Sequence, residues 1–532
     1  MPLPQVRPGL RPPWPVFAVT ALVALLRGLP FFVLTTSAAP AGRFFLPIGY
    51  NAMDVLAYVA FIRQAATSPS LTLHNPFTTL PHDGRLILLF HQALGLLCRL
   101  TGLDAFLMLE LSRIPLLFLF FWLVWRLLER VLTTRAHRLW ALWLIALSGG
   151  WHAYVLPFLD SGSAVAQVAR DDFWAANGWS TFEAAHNPLW LAGLVLVVPL
   201  LGHVLAPEPQ PKWQTHIAYC VGLIVLWFVH PYSALAVLAI VGVQPLLLAV
   251  FDAPMRPTLL RTWPAAIAAV AVLAAASAWQ LADPVYLASS GGALGIRLVT
   301  IFWYPLTFGL LFVFALRGMR DLVVARHPWR FGLAAWLLAV TFLHSSPVLN
   351  GYHFLYFLHL PLCIVAAPSI AATFERCSAS ARPLAWSLAA LLFLAPVAVT
   401  GQAVFEGLRD HKVSTETMAI LTRLANEPPG NVLAPPAIAR LVPAYTGHRA
   451  DASHWFLSPG YEKQATEINV FFNAAELNSV ALGQLMTRTQ TRMIVLPRQL
   501  VPAALVALAR QQPHEIAFET QSLLLLQRPF GQ

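Results

Sequence analysis

The first stretch whose residue types could do chemistry is Gly49-Tyr-Asn-Ala-Met-Asp54-Val-Leu-Ala-Tyr58, just after an apolar run at about 15–36. A carboxylate there can take a proton from a hydroxyl held within hydrogen-bond reach, or hold a cation. Asn51-x-x-Asp54 equally reads as a capping box, with the acid at the favourable end of a helix. On a helix starting near Asn51, Val55, Val59, Ile62 and Ala66 share one face, which can lie on a membrane. Asp54 and Tyr58 sit one turn apart on another face, with Arg63 half a turn away from Asp54.

Three further groups are candidates. Arg170-Asp171-Asp172-Phe173-Trp174 leads to Glu183 and His186-Asn187-Pro188. The paired acids fit a metal or sugar hydroxyls, or are solvated loop charge, while Asn187 with Pro188 caps the next helix. His230-Pro231-Tyr232 ends one apolar run and opens another. It fits either the polar rim of a cavity or an interfacial turn with amphipathic anchors. Arg297 and His353 each begin an apolar run, where a cation can hold a lipid phosphate or merely anchor the helix. There is no HExxH, no phosphate-cradling GxxxxGK and no GxSxG. His353 and His359 share no helix face, and the four cysteines have no CxxC spacing. A divalent cation such as Mg or Mn would therefore rest on carboxylates.

The solvent that must position these residues follows from composition. Of 532 residues, 58% are hydrophobic and only 11% charged, with mean hydropathy +0.64. Soluble domains carry about 25% charged residues, so most of the chain is built for lipid. The net charge of +10 falls singly or in small groups between apolar runs. That pattern encodes membrane topology and excludes a nucleic-acid stripe.

Apolar runs at about 15–36, 106–128, 138–157, 188–206, 215–230, 233–251, 263–281, 298–316, 331–346, 354–374 and 384–405 predict about eleven spans. Ser37-Ala38-Ala39 resembles a signal-peptide end, but the preceding run is as long as a full span. Arg27 interrupts that run, so it must face protein or snorkel outward. Leu86–Leu100 is short and holds His91 and Arg99, which predicts a surface helix. With the N-terminus cytoplasmic, Arg126 to Arg138, Lys212, Arg256, Arg261, Arg317, Arg320, Arg326, Arg330, Arg376 and Arg382 all fall on inner connections. A first loop (37–105), a second loop (158–187) and the tail then face outward. The expected division is a membrane domain over 1–409 and a small extracytoplasmic α/β domain over 410–532. In that tail, helical stretches Thr415–Asn426 and Glu462–Leu485 alternate with strand-like Asn431–Ala434, Arg492–Leu496, Glu515–Thr520 and Ser522–Gln527.

In this layout the chain resembles the GT-C superfamily of membrane glycosyltransferases, and more narrowly a bacterial branch of it. The resemblance is carried by Asp54-Val-Leu-Ala-Tyr58-Val-Ala-Phe-Ile-Arg63-Gln-Ala, Asn75-Pro-Phe-Thr78, His230-Pro-Tyr232 and Tyr352-His-Phe-Leu-Tyr-Phe-Leu-His359-Leu-Pro361. Val442-Pro-Ala-Tyr-Thr-Gly447-His-Arg449 and the segment from Ser453-His454 add to it in the tail. It implies a polyprenyl-phosphate-sugar donor and an envelope glycan, lipid or protein acceptor, with transfer of a hexosyl or pentosyl group on the outer side of a bacterial plasma membrane; a single displacement on such a donor would invert the anomeric centre. Asp54 matches the acid of the first loop, as base or metal ligand, with Tyr58, Asp171, Asp172, His186, His230 and Tyr232 as substrate or metal contacts. Arg297 and His353 match positions that hold the donor phosphate, although the resemblance implies Arg at 353. A flippase or other transporter, and a scaffold that binds envelope polymer, are the competing readings. A transporter would show paired repeats and charged groups at mid-membrane, whereas here polar groups gather at one surface and no repeat is visible.

Overall fold

The computed structural model describes residues 11–49, 51–68, 70–149, 180–205, 213–251, 263–290, 304–324, 329–345, 354–473, 479–498 and 515–527. In chain order the helices begin with α1 (Trp14–Thr36), α2 (Ala52–Thr67), α3 (Leu89–Thr101), α4 (Ala105–Val131), α5 (Arg135–Leu147), α6 (Thr181–Ala184) and α7 (Pro188–Leu205). They continue with α8 (Trp213–Val229), α9 (Pro231–Phe251), α10 (Trp263–Leu281), α11 (Pro284–Ser290), α12 (Tyr304–Val324), α13 (Arg330–His344), α14 (Tyr356–Arg376) and α15 (Arg382–Asp410). The tail adds α16 (Thr415–Ala425), α17 (Pro436–Ala439), α18 (Val442–Thr446), α19 (Tyr461–Asn473) and α20 (Ser479–Thr489). The strands are β1 (Arg43–Phe45), β2 (Lys412–Ser414), β3 (Val432–Leu433), β4 (Met493–Pro497), β5 (Glu515–Glu519) and β6 (Leu523–Gln527). Each apolar run read from the sequence carries one of these helices. Five of them, α1, α4, α10, α14 and α15, are long and apolar enough to cross a membrane.

The chain divides into two compact units. The first comprises Met1–Pro30, Glu110–Ala275 and Leu294–Ala403. Its helices bury Trp336, Tyr356, Phe120, Phe121, Phe308 and Phe357 completely. Close helix approach sets the packing: a Cβ on Gly318 of α12 would stand 2.0 Å from the Val365 carbonyl oxygen of α14, so only glycine fits there. Arg27 faces protein: Nε donates to the Phe182 carbonyl at 2.8 Å and the guanidinium lies 4.0 Å over the Phe182 ring. That pairing offsets the cost of a cation within an apolar helix.

The second unit comprises Phe31–Leu109, Ala276–Ala293 and Val404–Gln532. It joins the first loop to the tail. β1 pairs antiparallel with β2, Arg43 opposite Ser414. The tail sheet has the order β3-β4-β6-β5, with β3 and β4 parallel and the other pairs antiparallel. Strand alternation divides its two apolar faces. Met493, Val495, Leu523 and Leu525 pack with α2, α3 and α16. Ile494, Leu496, Leu524 and Leu526 pack with α19 and α20. The expected Glu462–Leu485 stretch is these two helices, with 474–478 outside the described residues.

One expectation is corrected. The apolar face of α2 does not lie on a membrane: Val59 and Ile62 are wholly buried with Leu421, Val442 and Ala444 of the tail. Apolar side chains of the tail cover this face and remove it from solvent, so it belongs to the unit's own core. α3, the other helix expected at a surface, keeps an exposed apolar face. Its inner face packs on α2 through Gly95, while Leu96, Leu97 and Leu100 are exposed with Arg99 beside them, the pattern of an interfacial helix.

Candidate active site

Asp54 lies in the first turn of α2, where the chain enters the helix through Asn51 in a left-handed conformation (φ 45°). Asn51 can adopt this because its short amide bonds locally. The Asn51 side chain accepts from the Asp54 N–H at 3.4 Å, and its Nδ2 donates to Asp54 Oδ2 at 2.7 Å. Asn51 therefore caps the helix, but the reciprocal bond of a capping box is replaced by the Asn51 side chain donating to a single Asp54 oxygen. The other, Oδ1, faces His454 Nε2 at 3.7 Å, and the Asp54 side chain is 25% exposed. Arg63 is engaged elsewhere: Nε donates to the Ala444 carbonyl at 2.8 Å, and Nη2 lies 3.5 Å from Asp104.

His454 was visible in the sequence only as part of a quoted motif. Its Nδ1 accepts the backbone N–H groups of Phe456 and Leu457, both at 3.1 Å. An imidazole nitrogen that accepts carries no proton, so the proton sits on Nε2, aimed at Asp54. Among the described residues that N–H has no hydrogen-bond partner, and the side chain is nearly buried. His454 cannot become a second base without giving up its backbone bonds. The proton acceptor of the pair is Asp54.

The turn that holds His454 is fixed to the first loop. Ser458 Oγ accepts from the Ser453 and His454 N–H groups and donates to the Phe77 carbonyl at 2.7 Å. Asn75 Nδ2 donates to the Leu457 carbonyl at 2.7 Å. Asp451 accepts from both the N–H (2.7 Å) and the hydroxyl (2.5 Å) of Thr79 while only 7% exposed. Hydrogen bonds to a buried carboxylate contribute roughly 1.5–3 kcal/mol each. The motifs Asn75-Pro-Phe-Thr78, Val442 to Arg449 and Ser453-His454 thus belong to one construction around Asp54.

Tyr58 stacks on His91 of α3 with ring centres 4.8 Å apart. His91 is fully buried, and among the described residues neither ring nitrogen has a hydrogen-bond partner. Burial holds its pKa down at about 3, so the ring is neutral.

Neither a family description nor a curated protein matches this chain. Solved structures do. An oligosaccharyltransferase of Archaeoglobus fulgidus in its apo form matches with a TM-score of 0.55 at 13% identity, covering 97% of this chain and 74% of the other. ArnT of Cupriavidus metallidurans in the apo state matches with 0.51 at 13% identity, covering 96% and 97%. The mycobacterial arabinofuranosyltransferase AftD matches with 0.55 at 16% identity, covering 98% of this chain and 42% of that one. This chain has the GT-C fold. A further structure of the Archaeoglobus enzyme, a complex with Zn and sulfate, matches with 0.53.

Within the GT-C frame, Asp171, Asp172, Arg297 and His353 lie outside the described residues. His186 and His230 belong to the first unit. His186 is half-buried with its Nδ1 against the Glu183 carbonyl; desolvation lowers its pKa to about 3, and the charges of Arg27 and Arg113 act in the same direction. His230 is 4% exposed, its Nδ1 2.7 Å from Ser233 Oγ and its ring against Trp190. The polar rim expected at His230-Pro-Tyr232 is, at its histidine, an interior contact. Pro231 starts α9, and Tyr232 is half-buried against Phe354. Among the described residues no three His, Cys, Asp or Glu side chains group to hold a metal. Asp54 with His454 does not fit a cation either, because the histidine presents a proton and not a lone pair.

Proposed function

We propose that this chain transfers a glycosyl group from a polyprenyl-phosphate-linked sugar to an acceptor hydroxyl on the extracytoplasmic side of a bacterial plasma membrane. Asp54 is the base. The GT-C fold supports glycosyl transfer, and the basic residues on the inner connections support the orientation. The observation that carries the reading is the Asp54 carboxylate itself. One oxygen is anchored by Asn51, the other is open, and a fixed N–H donor stands 3.7 Å away.

A glycosyl phosphate already has a good leaving group, so two tasks remain. The acceptor hydroxyl must lose its proton as the new C–O bond forms, which a carboxylate within hydrogen-bond reach performs. Charge on the departing phosphate must be stabilised, the role assigned to Arg297 and His353. A single displacement inverts the anomeric centre. Among the described residues no group of side chains makes a cation site. If Mg or Mn takes part, as the Zn complex of the Archaeoglobus neighbour allows, Asp171 and Asp172 are its candidate ligands beside Asp54.

The test is transfer by the purified protein from a panel of polyprenyl-phosphate sugars, hexosyl and pentosyl, with and without a chelator. Loss of transfer in Asp54→Ala supports the reading, and transfer at the wild-type rate overturns it.

A further inference from the structure

Trp455 is 50% exposed on the turn that holds His454. The other exposed tryptophans among the described residues, Trp14, Trp213, Trp279 and Trp386, all lie on apolar helices, where interfacial tryptophans belong. Trp455 does not. It stands on a non-helical turn of the tail, a few residues before exposed Glu462 and Lys463.

That turn is built to be rigid. Ala452 enters it at φ 49° and Gly460 leaves it at φ 66°. Between them Ser458 bonds to Ser453, His454 and Phe77, and the His454 imidazole bonds to the two residues after Trp455. The indole is also tied to the candidate active site. Its ring lies 18° from parallel to the His454 ring, with centres 6.2 Å apart, and the far nitrogen of that imidazole is 3.7 Å from Asp54. Phe456 steadies it from the side at 5.6 Å.

We propose that Trp455 is an acceptor subsite for a carbohydrate, whose sugar ring stacks on the exposed indole face, so that the acceptor of the transfer is a glycan. This rests on the reading of Asp54 as the transfer base. A pyranose presents a face of polarised C–H groups, which the negative face of an indole attracts while burying apolar area. A rigid aromatic surface recognises it with little entropic cost. Trp455 and Asp54 are then in reach of one oligosaccharide, one ring held while the neighbouring hydroxyl meets the carboxylate.

Binding is measured by titration calorimetry on the full chain in nanodiscs, with maltohexaose, cellohexaose, chitohexaose and mannohexaose as probes. The expected result is that at least one binds the wild type, and that Asp54→Asn, whose amide oxygen can still accept from the hydroxyl, retains measurable binding. Trp455→Ala weakens it about tenfold or more, and Trp455→Tyr by no more than about threefold. Because binding is read in the Asp54→Asn background, failure here is separate from failure of the transfer reading. If Trp455→Ala unfolds, judged by its thermal melt, the weaker effect of Trp455→Tyr against Trp455→Phe in the same titration decides. The proposal is overturned if no probe binds, or if the position-455 variants bind as wild type does. It is also overturned if brominated lipids quench a fluorescence component that Trp455→Phe removes, because Trp455 then anchors in the membrane.

Discussion

His454 offers a substitution pair that separates its two jobs. Asparagine places an amide oxygen where Nδ1 stands, so His454→Asn keeps the acceptor for the Phe456 and Leu457 N–H groups. It is too short to present a donor at Asp54. Glutamine does the reverse, reaching the Nε2 position and losing the Nδ1 acceptor. A hydrogen bond to a charged group contributes roughly 1.5–3 kcal/mol. If the 3.7 Å gap closes as the acceptor hydroxyl arrives, His454→Asn lowers kcat by about 10- to 100-fold. Its thermal stability stays near wild type. His454→Gln leaves two buried backbone donors without their acceptor, at about 1–3 kcal/mol for an unsatisfied group. It melts at lower temperature and retains more of kcat per folded molecule. The assay is steady-state transfer with kcat and KM separated, beside thermal unfolding of each purified variant. A His454→Asn protein with wild-type kcat would refute the reasoning, because the donor facing Asp54 would then do nothing.

Two further predictions concern the support of α2. His91→Phe keeps the ring against Tyr58 and removes two buried nitrogens without partners, so it should stabilise the fold by about 1–3 kcal/mol in denaturant or thermal unfolding. The wild type should also lose stability in acid. Its His91 stays neutral down to about 3 when folded, against 6.5 when unfolded, so between those values only the unfolded chain takes up this proton. Stability then falls as pH drops below about 6.5, by up to about 1.4 kcal/mol per unit; a His91→Phe protein with the same acid slope would exclude this cause. Gly95→Ala should destabilise by about 1–3 kcal/mol, since the new Cβ would stand 2.5 Å from Ala65 Cβ and 2.7 Å from the Ile62 carbonyl oxygen; an unchanged melting temperature would contradict the close α2–α3 packing.

The layout was legible in the sequence because lipid imposes long apolar periodicities and strands impose short ones. The four strands of the tail sheet, β3 to β6, fall within two residues of their expected ends, since β4 and β6 are apolar runs between polar turns, whereas the short β1–β2 pair was not read from the sequence. What local pattern could not supply was partnership across the chain. The apolar stripe of α2 looks the same whether it meets lipid or protein, and only its burial with Leu421 and Val442, more than 350 residues away, decides. His454 sits 400 residues beyond Asp54, in a turn whose only local sign is serine and aromatic content. The N-cap at Asn51 was readable because both partners lie within one helical turn. That it would occupy a single carboxylate oxygen was not, because this depends on the left-handed entry at Asn51.

The most direct test of the central claim is the transfer rate of Asp54→Asn. The amide is isosteric and can still accept from Asn51 Nδ2, so α2 keeps its cap while the base is lost. A positioned general base contributes about 100- to 10,000-fold. The account predicts a kcat lower by at least about 100-fold, with melting temperature unchanged. A folded Asp54→Asn protein that transfers sugar at the wild-type rate would contradict it.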